Sequence, residues 1–357
     1  MAVRNGERFV RDAIDSVLSQ SVKDFEFLIV DDGSTDGTRT ILSAYPHKDS
    51  RIRVLANERT LGPYPAANLA LSQARGDVIA RHDADDVSPP DRFATQLDAL
   101  NSASDAVLVT GVIEAFGRSD TGSRVFAPPA WQPRLEWELL FRNAVGAGGH
   151  VMFPRVLRGE PIRFPAKYAL AEDYGLWCAL SRRGRILSPS RVVYRYRQHD
   201  SSITSCRKAE QDACFFRMCH EYQSRYLPSS ETHETTSELA RELARFWNIC
   251  GSAPFSRDIR KVVSVLHQLK AAFLNYVEGR YGSVDKKNLE SELDAAITDR
   301  LGYWLHRSLR PFDRRRCCEC LAAARAQGMA LQVAGKAGRL TAGVVTSKFR
   351  RRSLPSS

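Results

Sequence analysis

Three aspartates lie within four residues of one another in this 357-residue chain: Asp83, Asp85 and Asp86. Like charges this close repel one another unless a cation or hydrogen-bond donors neutralise them. A ligand set made only of oxygens favours Mg²⁺ or Mn²⁺, which proteins usually share with the phosphates of a substrate. The cluster therefore predicts a divalent-cation site for a phosphorylated ligand, with a solvated acidic loop as the alternative.

A second acidic pair, Asp31 and Asp32, begins the polar segment 31–37. It directly follows the β-prone run 25–30, and the first cluster follows another such run, 77–81. In open α/β sheets, ligands bind beyond the carboxyl ends of the strands. We therefore expect both clusters to face one ligand site. For segment 31–37 the alternative is a polar turn that caps the next helix.

The elements around these clusters alternate between strand and helix patterns. An apolar stripe predicts a helix over 9–18, and further helices are predicted from about 38, through 66–70, and after Ser88-Pro89-Pro90, with Ser88 as N-cap. Strand-like runs occupy 25–30, 51–54 and 77–81. Repeated strand–helix units with short links predict an α/β sheet covered by helices. Beyond about residue 205 the pattern changes, and amphipathic helices are predicted over 206–226, 235–250, 256–278 and 287–308.

Short motifs in a fixed order run through residues 1–205. As they stand here they are Ala2-Val3-Arg4-Asn5-Gly6, Asp31-Asp32-Gly33-Ser34, Ala74-Arg75-Gly76-Asp77, and Asp83-Ala84-Asp85-Asp86 followed by Pro90, Arg92 and Gln96. In this order and spacing they resemble the family 2 glycosyltransferases. The resemblance implies the GT-A fold, a Rossmann-like and mostly parallel sheet with helices on both faces. It also implies transfer of a sugar, with inversion, from a nucleotide-diphosphate donor to a hydroxyl acceptor.

The resemblance assigns a donor side to the site. It implies that Asp32 reads the nucleotide base with Asp31 beside it, that the backbone at Ala2 helps line the base pocket, and that Asn5 binds the nucleotide sugar. It further implies that Asp83 faces the ribose or sugar and that Asp86 is a neighbour in the donor site. Two metal-side residues follow from the same match: Asp85 would ligate the Mn²⁺ or Mg²⁺ that bridges the diphosphate, and His199 would approach the metal or the diphosphate.

The resemblance also assigns a reacting side. Glu172-Asp173 matches an acidic pair before a helix, in which Asp173 is the catalytic base and Glu172 stands beside it. The alternative is helix capping, because acids favour the first turn of a helix. His150 and Trp177 are the candidates for the acceptor side. Their alternatives are a satisfied structural histidine and a core-facing residue on a helix stripe.

The chemistry agrees with those roles. Inverting transfer is an in-line displacement at the anomeric carbon, so one carboxylate suffices to deprotonate the acceptor hydroxyl. The leaving nucleoside diphosphate gains negative charge, which a divalent cation stabilises as a Lewis acid. The base and the metal ligand therefore have separate tasks on opposite sides of the reacting carbon.

Three domains are predicted: a catalytic domain over 1–205, a helical region over 206–330 and a basic amphipathic tail over 331–357. Members of the family begin with a fuller apolar first strand than Ala2-Val3, so we expect a shortened first strand in the sheet. The chain contains no run of eighteen apolar residues and no apolar leader, and its eight cysteines lack regular spacing. We therefore expect a protein of the reducing cytoplasm, without a spanning helix.

The positive charge is concentrated at one end. The net charge is +11, yet residues 301–357 hold 12 Lys and Arg against two acids, so the rest of the chain is nearly neutral. An amphipathic basic tail predicts peripheral contact with an anionic membrane on its inner face, near lipid-linked or glycan acceptors of cell-envelope or exopolysaccharide synthesis. The alternative is a solvated helix with a flexible basic end.

Other classes of protein remain as rival hypotheses. The nearly neutral body and the lack of a binding motif argue against a nucleic-acid partner. A Mg²⁺-dependent nucleotidyltransferase or phosphohydrolase could use the same acidic loop but would not need Asp173. An inactive nucleotide-sugar-binding or scaffold protein would bind donor without turnover. The cluster Cys317-Cys318-Glu319-Cys320 has no second cysteine pair at zinc-site spacing and predicts ordinary thiols.

Overall fold

The computed structural model describes residues 1–117, 124–146, 148–168, 170–200, 207–227, 237–248, 259–308, 314–330 and 332–337. The chain divides into two compact units. The first consists of Met1–Leu139 and Asn143–Phe215, and the second of Leu140–Arg142 and the chain from Phe216 onward. The domain boundary predicted at residue 205 lies near this change of unit, and the three-domain division stays a prediction.

Strands dominate the first unit and helices the second. The strands are β1 Ala2–Val3, β2 Phe27–Asp31, β3 Ile52–Ala56, β4 Val78–Ala80, β5 Ala106–Val109, β6 Val112–Phe116, β7 Arg124–Phe126, β8 Met152–Pro154, β9 Val156–Leu157, β10 Glu160–Pro161, β11 Arg185–Leu187 and β12 Val192–Arg197. The helices are α1 Val10–Leu18, α2 Thr38–Ser43, α3 Pro63–Gln73, α4 Arg92–Asn101, α5 Gln132–Glu138, α6 Glu172–Ser181, α7 Lys208–Gln223, α8 Ser237–Asn248, α9 Ile259–Tyr281, α10 Ser283–Ser308 and α11 Arg314–Ala326.

Strand β2 is buried along its whole length. Its unbroken apolar run suits a strand that is covered on both faces. β2 pairs in parallel with β1 and with β3, and the register places Val3 and Ala56 on either side of Asp31. The carboxyl ends of the three strands therefore share one edge, where the polar segments after them emerge.

The core beneath this edge comes from α1. Val10, Ile14 and Val17 form the buried stripe of the helix and belong to one apolar cluster with Phe27 and Ile29 of β2. Burying a side chain of this size contributes roughly 1.5–3 kcal/mol. The helix predicted from the apolar spacing of residues 9–18 is therefore confirmed, and it anchors the first acidic pair.

The second acidic cluster is positioned by two further sheets. β4 and β5 both pair antiparallel with β8, and β5 pairs in parallel with β11. β6 lies between β12, which is parallel to it, and β7, which is antiparallel. A single bridge joins Val87, in the loop after β4, to Arg195 of β12. This bridge ties the Asp83–Asp86 segment to the strand that leads to His199.

The predicted α/β class with a helical C-terminal region is confirmed, but one capping prediction is wrong. Helix α4 begins at Arg92 and has Asp91, not Ser88, at its N-cap position. The N–H of Arg92 donates to the carbonyl of Pro89, so a turn precedes the helix. The Ser88 hydroxyl instead accepts a hydrogen bond of 2.9 Å from the Arg92 guanidinium.

The second unit is helical, with an apolar core that includes Trp247, Val262 and Phe273. Phe141 stacks on Trp247 with ring centroids 5.2 Å apart. In the part of the chain that the structure describes, no helix combines the length and apolarity needed to cross a bilayer. Residues 332–337 are helical, whereas the basic stretch from 338 onward lies outside the described residues.

Candidate active site

Asp32 lies just after β2 and binds the loop between β3 and α3. Its Oδ1 accepts hydrogen bonds from the Asn57 side chain (2.8 Å) and the Leu61 N–H (2.9 Å). Its Oδ2 accepts from the Thr60 hydroxyl (2.9 Å) and the Gly62 N–H (2.8 Å). Burial raises the pKa of Asp32, but these four donors outweigh it and hold the pKa below its ordinary value. Each oxygen already accepts two bonds, so the predicted base contact requires a donor to be exchanged.

Asp31 and Asn5 hold the turn that follows β2. Asp31 is buried and accepts from the Ser34 N–H at 3.0 Å and from the Arg39 guanidinium at 2.9 Å. Asn5 has a left-handed backbone with φ of 50°, and its side-chain oxygen accepts from the Thr35 N–H at 2.8 Å. Both residues lie at the predicted edge, and in this structure their polar atoms organise the 31–37 turn. Their nucleotide contacts stay predictions.

Two other predicted donor residues also serve the scaffold here. Ala2 pairs with Val30 in the β1–β2 ladder and packs in a small apolar cluster. Asp86 is fully buried, and its Oδ1 accepts the Arg197 N–H at 2.7 Å. Burial, followed by the charges of the neighbouring aspartates, raises the pKa of Asp86 well above its ordinary value. This carboxyl orders the loop in this structure, and its contact with the donor stays a prediction.

Asp83 keeps a partly exposed carboxylate in the loop after β4. Its Oδ1 lies 2.8 Å from Nη1 of Arg81, and 28% of its side chain is exposed. Its N–H donates to the hydroxyl oxygen of the buried Tyr194 at 3.0 Å. A Cβ at Gly149 would collide with both that hydroxyl and the Asp83 carboxylate, so this position requires glycine. Asp83 is thus fixed at its backbone and its charge is balanced by a guanidinium.

Asp85 and His199, which are 114 residues apart in sequence, come together beside it. Nε2 of His199 lies 2.9 Å from Oδ2 of Asp85. The Arg197 guanidinium donates to the Asp85 carbonyl at 2.8 Å, and the ring of Phe9 packs 4.9 Å from the imidazole. Burial and then the charge of Asp83 raise the pKa of Asp85. The two residues assigned to the metal are therefore neighbours in space.

This pair fits a divalent cation that is shared with a substrate. About a third of the Asp85 side chain is exposed, so its carboxylate can be reached from solvent. One carboxylate and one imidazole leave positions for diphosphate oxygens and water, as Mg²⁺ and Mn²⁺ prefer. Among the residues described, no group of three or more His, Cys, Asp or Glu side chains could hold a metal by itself. Further ligands of a cation here would come from water or from the donor.

Glu172 and Asp173 open helix α6, and both are buried. Asp173 Oδ1 accepts the Tyr174 N–H at 2.7 Å, and Oδ2 accepts from the Asn143 side chain at 3.2 Å. Burial outweighs these donors and raises the pKa of Asp173. Burial, and then the charge of Asp173, raises the pKa of Glu172 to about 7. Burial in the first turn of α6 thus raises the pKa of both carboxyl groups, so that both bind protons more tightly than exposed carboxylates do.

Arg81 joins the donor side to this pair. Its guanidinium lies over the rings of Tyr64 (5.4 Å) and Phe164 (5.8 Å). Burial lowers the pKa of Arg81, but the charge of Asp83, with smaller contributions that include Asp173, raises it above its ordinary value. Arg81, Asp83 and the Tyr64 hydroxyl in turn act on the pKa of Asp173. One guanidinium therefore interacts with the donor-side aspartate and with the predicted base.

The two acceptor-side candidates lie in the core. His150 is fully buried, and its Nε2 lies 2.6 Å from the Thr110 hydroxyl and 3.0 Å from the Val145 carbonyl. Trp177 is also fully buried and packs edge-on to Phe164 at 6.2 Å. Both side chains are enclosed by the protein here, and their contacts with an acceptor stay predictions. Their burial agrees with the structural alternatives given for them.

Sequence reasoning missed Arg81, Tyr64 and Asn143. Arg81 follows β4 directly and precedes Asp83 by two residues. A basic residue between the end of a strand and an acidic cluster was therefore the available signal that Arg81 belongs to the site. Tyr64 and Asn143 lie far from every acidic motif in sequence. Only the tertiary fold brings them to Asp173.

The fold is that of a GT-A glycosyltransferase. The structure is similar to the crystal structure of S. aureus TarS 1–349, with a TM-score of 0.52 at 17% identity over 92% of this chain and 90% of that one. A family model described as glycosyl transferase family 2 matches residues 1–156. The chain belongs to glycosyltransferase family 2, which confirms the recognition and the sugar-transferase class predicted from the sequence.

Two curated relatives are named as a glycosyltransferase and a glucosyltransferase. The putative glycosyltransferase EpsE of Bacillus subtilis is 42% identical over 212 residues, which cover 57% of this chain and 73% of the relative. The UDP-Glc:alpha-D-GlcNAc-diphosphoundecaprenol beta-1,3-glucosyltransferase WfgD of Escherichia coli is 30% identical over 205 residues, or 56% of this chain and 76% of the relative.

Proposed function

We propose that this protein is a metal-dependent inverting glycosyltransferase that transfers a sugar from a nucleoside-diphosphate donor, with UDP-sugars the first class to test. The observation that carries the proposal is the pairing of Asp85 with His199 at 2.9 Å, close to Asp83. On the other side, the buried carboxylate of Asp173 interacts with Asp83 and with Arg81. One group of aspartates can thus bind the donor while another takes a proton.

On the donor side, Asp85 and His199 would hold Mn²⁺ or Mg²⁺ together with diphosphate oxygens. The cation, when bound, would stabilise the charge that develops on the departing diphosphate. The partly exposed carboxylate of Asp83, with its charge balanced by Arg81, would accept hydrogen bonds from sugar or ribose hydroxyls. Partial exposure to solvent supports these roles for Asp83 and Asp85, whereas Asp31 and Asp86 are buried.

On the reacting side, Asp173 would deprotonate the acceptor hydroxyl. An inverting displacement needs one base and no covalent intermediate. Burial raises the pKa of Asp173, which brings a carboxylate closer to the proton affinity that a base needs near neutral pH. Asp173 is preferred to Glu172 because Arg81 and Asp83, the donor-side charges, act on the pKa of Asp173.

The name of one relative and the charge distribution support a proposal for the acceptor class. The name of WfgD describes transfer of glucose to a sugar on diphosphoundecaprenol, a lipid carrier. The present chain concentrates its positive charge in residues 301–357, where it can attract anionic lipid. We therefore propose a lipid-linked glycan acceptor of cell-envelope or exopolysaccharide synthesis, met at the inner face of the membrane. Stronger binding of the full chain to anionic than to neutral vesicles would support this location.

Donor binding with Mn²⁺, Mg²⁺ or chelator, measured over a panel of nucleotide sugars, tests the proposal. We expect one donor to bind in a metal-dependent way, and Asp85→Ala to lose that dependence with at least about tenfold weaker binding. Asp77→Ala, which changes a fully exposed aspartate beside β4, is the matched control and should bind as the wild type does. Equal metal-dependent binding by Asp85→Ala and the wild type would contradict the metal assignment. Release of pyrophosphate instead of nucleoside diphosphate would favour the nucleotidyltransferase alternative.

A further inference from the structure

The side chain of Asn143 bridges a turn and the predicted base. Its Oδ1 accepts the N–H of Gly146 at 3.2 Å, and its Nδ2 donates to Oδ2 of Asp173 at 3.2 Å. Because a backbone N–H can only donate, it fixes which end of the amide is the oxygen. The NH₂ group must therefore face the carboxylate. The orientation of the Asn143 amide is set by the backbone before any substrate arrives.

The other oxygen of the carboxylate is held from a different direction. The N–H of Tyr174, in the first turn of α6, donates to Oδ1 of Asp173 at 2.7 Å. A carboxylate with one donor on each oxygen cannot rotate about its terminal bond without breaking a hydrogen bond. A carboxylate can accept about four hydrogen bonds, so these two donors and the Tyr64 hydroxyl leave a position for an acceptor hydroxyl. The two donors thus hold the group still while leaving it able to take a proton.

The remaining groups that act on Asp173 come from several elements. They are Glu172 beside it in α6, the Tyr64 hydroxyl from α3, and Arg81 and Asp83 from the end of β4. Burial opposes the charged form of Asp173, and the donors favour it. The Asn143 amide, like the Tyr174 N–H, carries no charge of its own and does not titrate. Its effect on the base is therefore one of position and hydrogen bonding.

We propose that Asn143 is a positioning residue for glycosyl transfer, which orients the Asp173 carboxylate toward the acceptor hydroxyl and stabilises its ionised form. This inference rests on the proposed function, in which Asp173 is the base. Asn143 acts only through Asp173 and needs no contact with donor or acceptor.

Two substitutions separate this role from a folding role. Asn143→Ala removes the bond to Asp173 and the bond to Gly146. Asn143→Asp keeps an oxygen for the Gly146 N–H but replaces the donor that faces Asp173 with a second carboxyl group. The turn is therefore preserved, whereas the hydrogen bond to the base is lost. The matched control is Asn68→Ala, because Asn68 also bridges backbone groups, the N–H and carbonyl of Phe164, both at 2.9 Å, without bonding Asp173.

The measurement is the dependence of kcat on pH, and the donor Kd of each variant is measured as well. The substrate is a donor that the panel shows to be turned over, and hydrolysis of UDP-glucose with Mn²⁺ is the first reaction to try. We expect Asn143→Ala to lower kcat about tenfold or more with donor Kd unchanged, as loss of a hydrogen bond to a charged group implies. Its acidic limb should move to higher pH. The acidic limb of Asn143→Asp should lie higher still, because two carboxyl groups share the site. Asn68→Ala should leave the limb in place.

An acidic limb that stays at the wild-type pH in both Asn143 variants would overturn the inference, even if kcat fell through lost stability. The turnover of Asp173→Asn distinguishes failure of the proposed base from failure of the role inferred for Asn143. If Asp173→Asn keeps its turnover, the proposed base is wrong and the inference fails with it. If Asp173→Asn is inactive while the Asn143 variants behave as the wild type, only the role of Asn143 fails.

Discussion

At the scale of single residues, burial gives neighbouring carboxyl groups different properties. Asp173 is held by two hydrogen-bond donors, whereas Oε2 of Glu172 is buried without a hydrogen-bond partner. Burial and the charge of Asp173 raise the pKa of Glu172 to about 7, from an ordinary value of 4.5. The folded protein therefore binds this proton more tightly than the unfolded chain does. Glu172 consequently makes stability fall as the pH rises between these two values.

The substitution Glu172→Gln should remove that loss. Near pH 5 the variant and the wild type should unfold alike, and near pH 8 the variant should be more stable by about 1–2 kcal/mol, because no buried charge forms. Urea unfolding at the two pH values measures the difference. Glu160→Gln, at an exposed carboxylate of the same unit, serves as the control and should show no such pH dependence. A variant destabilised equally at both pH values would contradict this explanation.

At the scale of elements, the loop between β3 and α3 would compete for Asp32 with the nucleotide base that is predicted to bind there. Its donors already occupy both oxygens of this carboxylate, and Thr60 is the exposed residue among those that donate through a side chain. If the base uses Asp32, one of these donors must leave. The hydroxyl of Thr60 is the simplest to release, because the backbone bonds of Leu61 and Gly62 are tied to the path of the chain.

Thr60→Val should therefore tighten the binding of UDP. The substitution keeps the side-chain shape and frees one acceptor position on Asp32, which we expect to be worth roughly 1 kcal/mol, or about fivefold in Kd. Titration calorimetry with UDP measures this. Thr35→Val, whose hydroxyl lies near Asn5 and not near Asp32, is the control. Unchanged or weaker UDP binding in Thr60→Val would show that Asp32 does not exchange this partner for the base.

Local patterns in the sequence were sufficient for the elements and for part of the site. The apolar stripe of α1 and the buried run of β2 each allow one structure, and the polar residues after β2 and β4 lie at strand ends as expected. The N-cap assigned to Ser88 failed because its hydroxyl serves the buried guanidinium of Arg92, a tertiary partner. Asn143 could not be predicted, since its contact with Asp173 spans 30 residues and depends on how the chain folds back.

At the scale of the whole molecule, charge and chemistry occupy different parts of the chain. Ten of the eleven net positive charges belong to residues 301–357, while the family match lies within residues 1–156. The proposed attraction to a membrane and the proposed donor chemistry should therefore respond separately to solution conditions. Salt screens the attraction of exposed charges, whereas buried groups such as Asp173 are screened much less.

We propose above all that the site has two parts, a donor-binding part at Asp83 and Asp85 and a base at Asp173. The most direct test is single-turnover kinetics of Asp173→Asn with the donor that binds the wild type. The account predicts a fall in turnover of about 10²–10⁴-fold, with donor Kd within about twofold of the wild-type value. Turnover by Asp173→Asn at the wild-type rate, or loss of donor binding together with turnover, would contradict it.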